Sequence, residues 1–598
     1  VLAWSVFIRF WRLDYPHEYV FDEVYHAFTA KMYALDRYEA WVWWTSPPEG
    51  VAYEWTHPPL AKVIMGWGIE LFGGAGELPK KIVDPELSVN DKYQELEKKG
   101  TRILAGSSFG WRFFGAVFGV LCTFGIFLLS SSLFRNRWVG VLSAFIFTLD
   151  LLPLVQSRTA MNDIYAVTFL VFGFYFFTRR RDKQGLPHQL LNSELPLYNW
   201  LLSGIFLGLA ISSKWTSLFG LGVVAVYQLI TILASTYLLH HNSKLISRYL
   251  IELLNAAWKG LLCFALIPFT VYLLSYWQLF TLPIYDYKGN SLKNARDVGT
   301  VPESERQIWE VAWSYNEYLA DRLFIWWGLQ KQMWWYHTNL VAGHNYTSKW
   351  WTWPFMIRPV WFYVNYCDKN SNDVVCLNEL AIQVQDKLFA DIYTMGNPIL
   401  YWGFFPLFIL FFWRYLREYA IWMLTALPFS VYASTLYMFQ VERPEGRLGL
   451  TEYFNFIFPD FVNKVFPSVF LFALLLLVLI SVVALMHVVS YKVSDRRVVK
   501  EYFPLFFFLI CFAAFWLPWA QSPRIMFYYH FFPPVTFMYP IVAYLLYSLL
   551  FQSRALRWYV IVYLGMIFVS FVYFYPHVTA FLLSESLREQ YWWFESWK

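Results

Sequence analysis

The residues best suited to chemistry sit in short polar islands between long apolar runs. Tyr19-Val20-Phe21-Asp22-Glu23-Val24-Tyr25-His26 places two adjacent carboxylates directly after the first such run. At a membrane surface a doublet of this kind is hydrated, paired or part of a site, and one member can serve as a general base. The same pair also fits a helix start, where acids favour the positive end of the dipole. Thr56-His57-Pro58-Pro59-Leu60-Ala61-Lys62 follows, its prolines forcing an extended approach to an amphipathic helix. Gln156-Ser157-Arg158-Thr159-Ala160-Met161-Asn162-Asp163, Ser212-Ser213-Lys214-Trp215 and Ser522-Pro523-Arg524 each put a cation at a turn. A further stretch runs from His337 and His344 through Asn345-Tyr346-Thr347, Lys349 and Trp350-Trp351-Thr352-Trp353-Pro354 to Arg358. Singly, each has a structural explanation: an exposed ion pair worth at most about 1 kcal/mol, a lysine stretching toward water, a histidine holding a turn. Together Asp22, Glu23, His57, Arg158, Asp163, Lys214, His344, Arg358 and Arg524 form the set that a lipid phosphate bearing a sugar requires. Cations would hold the phosphate, aromatic faces the sugar, and a carboxylate would take a proton.

The elements that must position these residues are membrane spans. Of 598 residues, 22% are Phe, Tyr or Trp and only 15% are charged, against roughly 25% charged in soluble domains. A soluble chain could not hide that much apolar surface, so the fold class is an all-α polytopic membrane protein. Crossing a bilayer takes about 20 apolar residues, and charge-free runs of that order lie at 113–134, 195–213, 215–239, 260–285, 502–523 and 558–576. Weaker ones lie at 138–156, 163–178, 397–413, 419–438, 466–490 and 525–551, and the chain opens on the truncated remainder of another at 1–8. Loops rich in Lys and Arg stay cytoplasmic. Arg135 with Arg137, Arg179 to Arg181, Lys244 with Arg248, Arg414 with Arg417, Lys492 with Arg496 and Arg497, and Arg554 with Arg557 all fall on one side. The opposite face then carries loops 14–109 and 286–396, together with Arg158, Lys214 and Arg524, and function belongs there. The domain expectation is a transmembrane module over 1–278, a large outer loop over 279–398, and C-terminal spans over 399–598. Residues 304–336 mix helical-period aromatics with charges, as in a helix lying in the interface plane, whereas 80–100 reads as a solvated insertion. Cys122, Cys263 and Cys511 fall inside apolar runs as packing residues, while Cys367 and Cys376 in the second outer loop could close a disulfide on an oxidising side.

The motifs resemble those of the protein O-mannosyltransferases. FDEVYHAFTAKMYALDRYEAWVWW followed by THPPLAK is similar to the family's first lumenal loop, and SRTAMNDIY, SSKWTSLFG, HNYTSKWWTWPFMIRP and SPRIMFYYHFFPP resemble further family segments in the same order. Eukaryotic members carry a β-trefoil in the second large loop. Here only about 110 residues lie between 286 and 396, and they look helical, so the resemblance is to the bacterial type. The family typically has 11 spans, with 419–490 resembling an inserted pair, so 11 to 13 are expected. The resemblance implies a GT-C glycosyltransferase that moves mannose with inversion from polyprenyl-phosphate mannose to Ser or Thr hydroxyls of a polypeptide on the extracytoplasmic side. Asp22 is then the base, with Glu23 beside it orienting the acceptor or its neighbour. Arg158, Lys214, His344, Arg358 and Arg524 compete for the donor phosphate. His57 and Asp163 hold the loop and pair a cation from behind the reacting groups. No cofactor is expected; adjacent acids alone are a weak signal for a divalent metal. The implied location is a bacterial plasma membrane with the site facing out, or the ER membrane with the site facing the lumen if the chain is eukaryotic.

Other classes have their own marks. A GT-C enzyme with a lipid acceptor, such as an aminoarabinose transferase, would draw both substrates from the bilayer. A transporter would need ionisable residues near span centres and broken helices at the midplane, whereas these charges crowd span ends. A noncatalytic scaffold would tolerate loss of Asp22. The net charge of +5 is too small and dispersed for nucleic acid, and no P-loop or dinucleotide-binding glycine motif occurs. The partners expected are the polyprenyl donor, a Ser/Thr-containing peptide and the bilayer, and nothing in the residues fixes an oligomeric state.

Overall fold

The computed structural model describes residues 1–72 apart from 46, 48 and 49, then 108–179, 197–239, 246–282, 284, 317–340, 343–367, 388–411, 496–522 and 524–598. The insertion at 80–100, residues 304–316, the runs 419–438 and 466–490 and Cys376 lie outside the described residues. In chain order, α1 (Leu2–Phe10), α2 (Glu23–Ala34) and α3 (Leu60–Phe72) precede the long α4 (Ser108–Phe134). α5 (Arg137–Thr148), α6 (Leu151–Arg158), α7 (Asn162–Thr178), α8 (Leu197–Ser213) and α9 (Leu218–Leu239) follow. α10 (Ile246–Leu261) continues through a π-helical turn into α11 (Ile267–Leu274), then α12 (Trp277–Thr281) and α13 (Glu317–Asn339). β1 (Val360–Cys367), β2 (Leu388–Thr394), α14 (Pro398–Phe411), α15 (Arg496–Trp516), α16 (Phe532–Thr536), α17 (Met538–Leu549), α18 (Arg554–Val578), β3 (Leu582–Ser584) and α19 (Glu585–Glu589) complete the order.

Among the described residues, Ser108–Phe134, Leu253–Leu274, Pro504–Gln521 and Arg554–Val578 are long and apolar enough to cross a bilayer unbroken. Two bent pairs bring the number to 6: α5 with α6, meeting at 67°, and Tyr528–Thr536 with α17, meeting at 51°. The apolar run at 138–156, which reads as one span, is thus two helices. Its break falls at a buried acid, Asp150, which caps α6 by accepting the Leu152 amide. Asp150 also accepts the Asn397 amide at 2.9 Å and the Tyr539 hydroxyl at 2.6 Å, while the Asn397 side chain donates to the Leu149 and Ile567 carbonyls. A helix can be interrupted within a bilayer only where neighbours satisfy its freed backbone groups, and here a single Asn–Asp–Tyr junction does so.

Close approach of α1, α4 and α6 depends on Gly119. A Cβ there would sit 2.3 Å from Nε of Arg9 and 2.7 Å from Cβ of Ser157, so only hydrogen leaves room for that buried arginine. Arg9 donates to Ser157 and Ser5 hydroxyls, giving the cation polar partners inside the bundle.

The second large loop corrects the helical expectation. It contributes a helix, α13, but also an antiparallel sheet in the order β1-β2-β3, in which Val360 faces Thr394 and Phe389 faces Leu583. Val, Trp, Phe and Tyr fill β1, the residue types that suit a pleated, half-buried surface, while β3 arrives from beyond the last span. Arg588 locks this sheet: its guanidinium makes bonds of 2.6 and 3.0 Å to buried Asp391 and lies 4.2 Å from the Phe389 ring centre. Removing one partner of such a pair strands the other charge, at a cost of about 3–5 kcal/mol. Asp391→Ala should therefore lower the thermal midpoint of the detergent-solubilised protein markedly, and Asp391→Leu with Arg588→Met should lower it less; an unchanged midpoint in Asp391→Ala would contradict the lock.

Candidate active site

The site forms where the start of α2, the first turn of α4 and the α6–α7 turn meet. Glu23 is fully buried there, and its carboxylate is gripped by Arg112 through bonds of 2.8 and 2.7 Å. The Val20 and Ala160 amides donate to the same carboxylate at 3.0 and 2.9 Å. Arg112 in turn donates to the Pro16 and Glu18 carbonyls. Glu23, expected to orient the acceptor, therefore has four donors and no exposed oxygen with which to do so. Its bonds fix the backbone that presents Asp22.

Asp22 is half-buried and faces outward from this anchor. Among the described residues its one side-chain hydrogen bond is from the Tyr529 hydroxyl, at 3.3 Å. Burial raises its pKa, against the pull of His26 and Lys214. The preceding Phe21 holds φ at 47°, a conformation bulky side chains rarely adopt. Its ring is stacked 4.4 Å from Phe362 and meets Phe527 and Tyr529 edge-on, contacts that offset the strain. Lys214 approaches from the α8–α9 turn, donating to both oxygens of Asp163 at 2.8 Å, with its Nζ 5.8 Å from the Tyr529 ring centre.

A second carboxylate cluster adjoins the first. Glu54 accepts from His57 Nδ1 at 2.7 Å and from Thr56 and Lys62, with His26 Nδ1 at 3.6 Å. Burial works against its ionisation, yet Lys62 and His57 prevail and hold its carboxyl well below the usual range. The His57 ring lies 5.0 Å from that of His337, on the last turn of α13. His337 donates from Nε2 to the Thr56 carbonyl at 2.8 Å and accepts from Arg524 at Nδ1. Burial and the Arg524 charge push its pKa down to about 4, so the ring is neutral near pH 7. Among the described residues Arg524 has no carboxylate partner.

Asp22, Glu23, His57, Asp163, Lys214 and Arg524 thus belong to one contiguous cluster. The remaining expected residues do not join it as phosphate ligands. Arg158 is buried and spends its guanidinium on the Ile8, Arg9, Trp11 and Arg12 carbonyls, capping α1. Arg358 binds the Asn345, Ser596 and Lys598 carbonyls and lies 4.8 Å from the Tyr346 ring centre, fastening the C-terminal segment. His344 is exposed at the rim, edge-on to Phe527 and Phe21, and accepts the Tyr346 amide. Arg112 and Glu54 are residues that motif reading passed over, whereas His337 and Tyr529 stood within the candidate stretches without an assigned role. Arg112 had a signal: a cation at the mouth of an apolar run must find a partner. Glu54 stands three positions before His57, within reach of it, but only the folded loop turns it inward.

Fold and site together define a GT-C membrane protein with an acid–cation cluster at one end of its helices. Residues 1–282 match the family described as dolichyl-phosphate-mannose-protein mannosyltransferase, and residues 323–441 match the C-terminal four TMM region of protein-O-mannosyltransferase. The chain belongs to this family. It is 24% identical over 352 residues to the polyprenol-phosphate-mannose–protein mannosyltransferase of Mycolicibacterium smegmatis, a match covering 54% of this chain and 61% of that relative. The Corynebacterium glutamicum protein of the same name is 24% identical over 380 residues, covering 60% of this chain and 66% of the relative. The chain therefore spans about three-fifths of the length of the first of these curated relatives. A solved structure, the Saccharomyces cerevisiae Pmt1-Pmt2 complex bound to the sugar donor, superposes with a TM-score of 0.59 at 15% identity, covering 100% of this chain and 91% of that one, which shows the shared fold.

The different surroundings of the two acids give a contrast. Glu23→Ala leaves Arg112 buried and unpaired and should destabilise the protein by about 3–5 kcal/mol, whereas Asp22→Asn should change stability by less than about 1 kcal/mol. Thermal unfolding in detergent reads both, and equal effects would refute the division between the anchoring acid and the half-buried one.

Proposed function

We propose that the protein transfers mannose, with inversion, from a polyprenyl-phosphate mannose to Ser or Thr hydroxyls of a polypeptide on the extracytoplasmic side of a bacterial plasma membrane. The observation that carries this reading is Asp22: a half-buried carboxylate free of any basic partner among the described residues, facing Lys214 and Arg524 across Tyr529. Family membership and the names of the curated relatives support the substrate classes.

The chemistry follows from the geometry. Asp22 accepts the proton of the acceptor hydroxyl as its oxygen bonds to the anomeric carbon, and the bond from that carbon to the phosphate oxygen breaks. A single displacement of this kind inverts the centre and needs no second carboxylate as nucleophile. The departing polyprenyl phosphate gains negative charge, and preorganised cations stabilise it most where water is scarce. Lys214 and Arg524 are the cations so placed, while Arg158 and Arg358 are committed to backbone carbonyls. Glu23 acts as a positioning residue through the α2 backbone. The scheme draws its charge stabilisation from side chains and uses no metal.

The acceptor enters as an extended segment, since a folded Ser or Thr could not reach a recessed base. The sidedness is supported by charge: Arg135, Arg137, Arg179, Arg554 and Arg557 stand at the helix ends remote from the cluster.

Membranes supplied with labelled polyprenyl-phosphate mannose and a Ser/Thr-rich peptide should label the peptide; label confined to lipid would reject a protein acceptor. Asp22→Asn should lower kcat by two or more orders of magnitude, the scale of a general base. Because burial raises the Asp22 pKa, the carboxyl is protonated and activity lost as pH falls through a value above the ordinary aspartate figure of 3.8. A pH–rate profile whose acid limb is unchanged in the Asn variant would exclude Asp22 as the base.

A further inference from the structure

The Glu54–His57 pair has a free end. Nδ1 of His57 donates to ionised Glu54 at 2.7 Å, and the His57 carbonyl accepts from Lys62, so the ring is held at both its side chain and its backbone. Burial holds the imidazole neutral, well below the usual histidine pKa, despite the opposing pull of Glu54. With the proton on Nδ1, the lone pair is on Nε2. The side chain keeps 17% of its surface accessible, and Nε2 has no hydrogen-bond partner among the described residues. A carboxylate that orients a neutral imidazole while leaving its other nitrogen open is the arrangement of a preorganised acceptor.

What meets that nitrogen follows from its place. The His57 ring is 5.0 Å from His337, whose Nδ1 is tied to Arg524, so His57 stands on the flank of one of the cations assigned above to the phosphate. In a single displacement the incoming hydroxyl and the leaving phosphate occupy opposite faces of the sugar. A lone pair near the phosphate is repelled by phosphate oxygens and attracts a hydrogen-bond donor, and the donor groups that the polyprenyl-phosphate sugar itself carries next to the phosphate are its hydroxyls. We infer that His57 Nε2 accepts a hydrogen bond from a hydroxyl of the donor's sugar, making the Glu54-held His57 a sugar-selecting residue. This rests on the mannosyl-phosphate reading above and adds to it a residue that senses which sugar the lipid carries.

The test uses the full-length protein with short-chain polyprenyl phosphates bearing mannose or its 2-, 3-, 4- or 6-deoxy forms. A site built to bind a hydroxyl discriminates against the analogue that lacks it. One deoxy donor should therefore lose about 10- to 100-fold in kcat/KM with the unmutated protein. His57→Asn keeps a donor toward Glu54 but withdraws the outer acceptor. It should lose a similar factor on the mannose donor and no longer distinguish that one deoxy donor from mannose. His57→Gln, whose carbonyl reaches the Nε2 position, should recover most of the loss. Equal use of all five donors by the unmutated protein would overturn the inference without any variant, and so would a deoxy-donor ratio that is the same in His57→Asn. An unmutated protein that leaves the peptide unlabelled with the mannose donor would instead overturn the underlying reading of the reaction.

Discussion

The end of this molecule that carries the site depends on the buried pair between Glu23 and Arg112. Two charges withdrawn from water stabilise a fold only when their mutual attraction is joined by hydrogen bonds to the remaining lone pairs and protons. Here the Val20 and Ala160 amides complete the carboxylate, and the Leu13, Pro16 and Glu18 carbonyls take the remaining guanidinium protons. Four parts of the chain, namely the α1–α2 connection, α2, α4 and the α6–α7 turn, are thereby joined at one point. Asp22 is the next residue in the chain, so the direction in which it points is fixed by a bond it does not itself make. The left-handed Phe21 belongs to the same constraint, since its unfavourable backbone is tolerated only within a box of aromatic rings.

Charge in the cluster is distributed by how completely each group is answered. Glu23 and Arg112 satisfy one another, as do Asp163 and Lys214, though Lys214 also feels Asp22 and stands near the Tyr529 ring. Glu54 gathers Lys62, His57 and His26. Among the described residues, Asp22 and Arg524 are hydrogen-bonded to neutral partners, Tyr529 and His337. In surroundings of reduced dielectric such groups interact strongly with whatever charge is brought to them. Among the described residues the site thus holds a carboxyl and a guanidinium apart, each bonded to an aromatic side chain that cannot neutralise it.

The spans were legible because lipid imposes a composition on any helix that crosses it, and 113–134, 163–178 and 558–576 each coincide with a helix. The break at Asp150 was not, since what makes it tolerable is Asn397 and Tyr539, both remote in sequence. The same holds for β3, whose three residues become a strand only by pairing with β2. At the site, sequence located the acidic doublet and the turns bearing Lys214 and Arg524. It could not tell which cations would be consumed by carbonyl oxygens, because every residue carries a carbonyl and only the folded path shows which ones converge. Arg158 and Arg358 therefore looked as available as Arg524. Glu23 looked equivalent to Asp22 for a related reason: adjacent residues at a helix start point in different directions, and burial alone separates them.

The hydrogen bond between Asp22 and Tyr529 joins positions 507 residues apart. Chains are made from the N-terminus at roughly 5–20 residues per second, so the acid waits on the ribosome for something like half a minute or more before its partner exists. Throughout that interval the early helices can settle around Glu23 and Arg112, which are 89 residues apart, while the reacting constellation is still incomplete. The surroundings of Asp22 are consequently complete only once the segment that carries Tyr529 has been made and has docked.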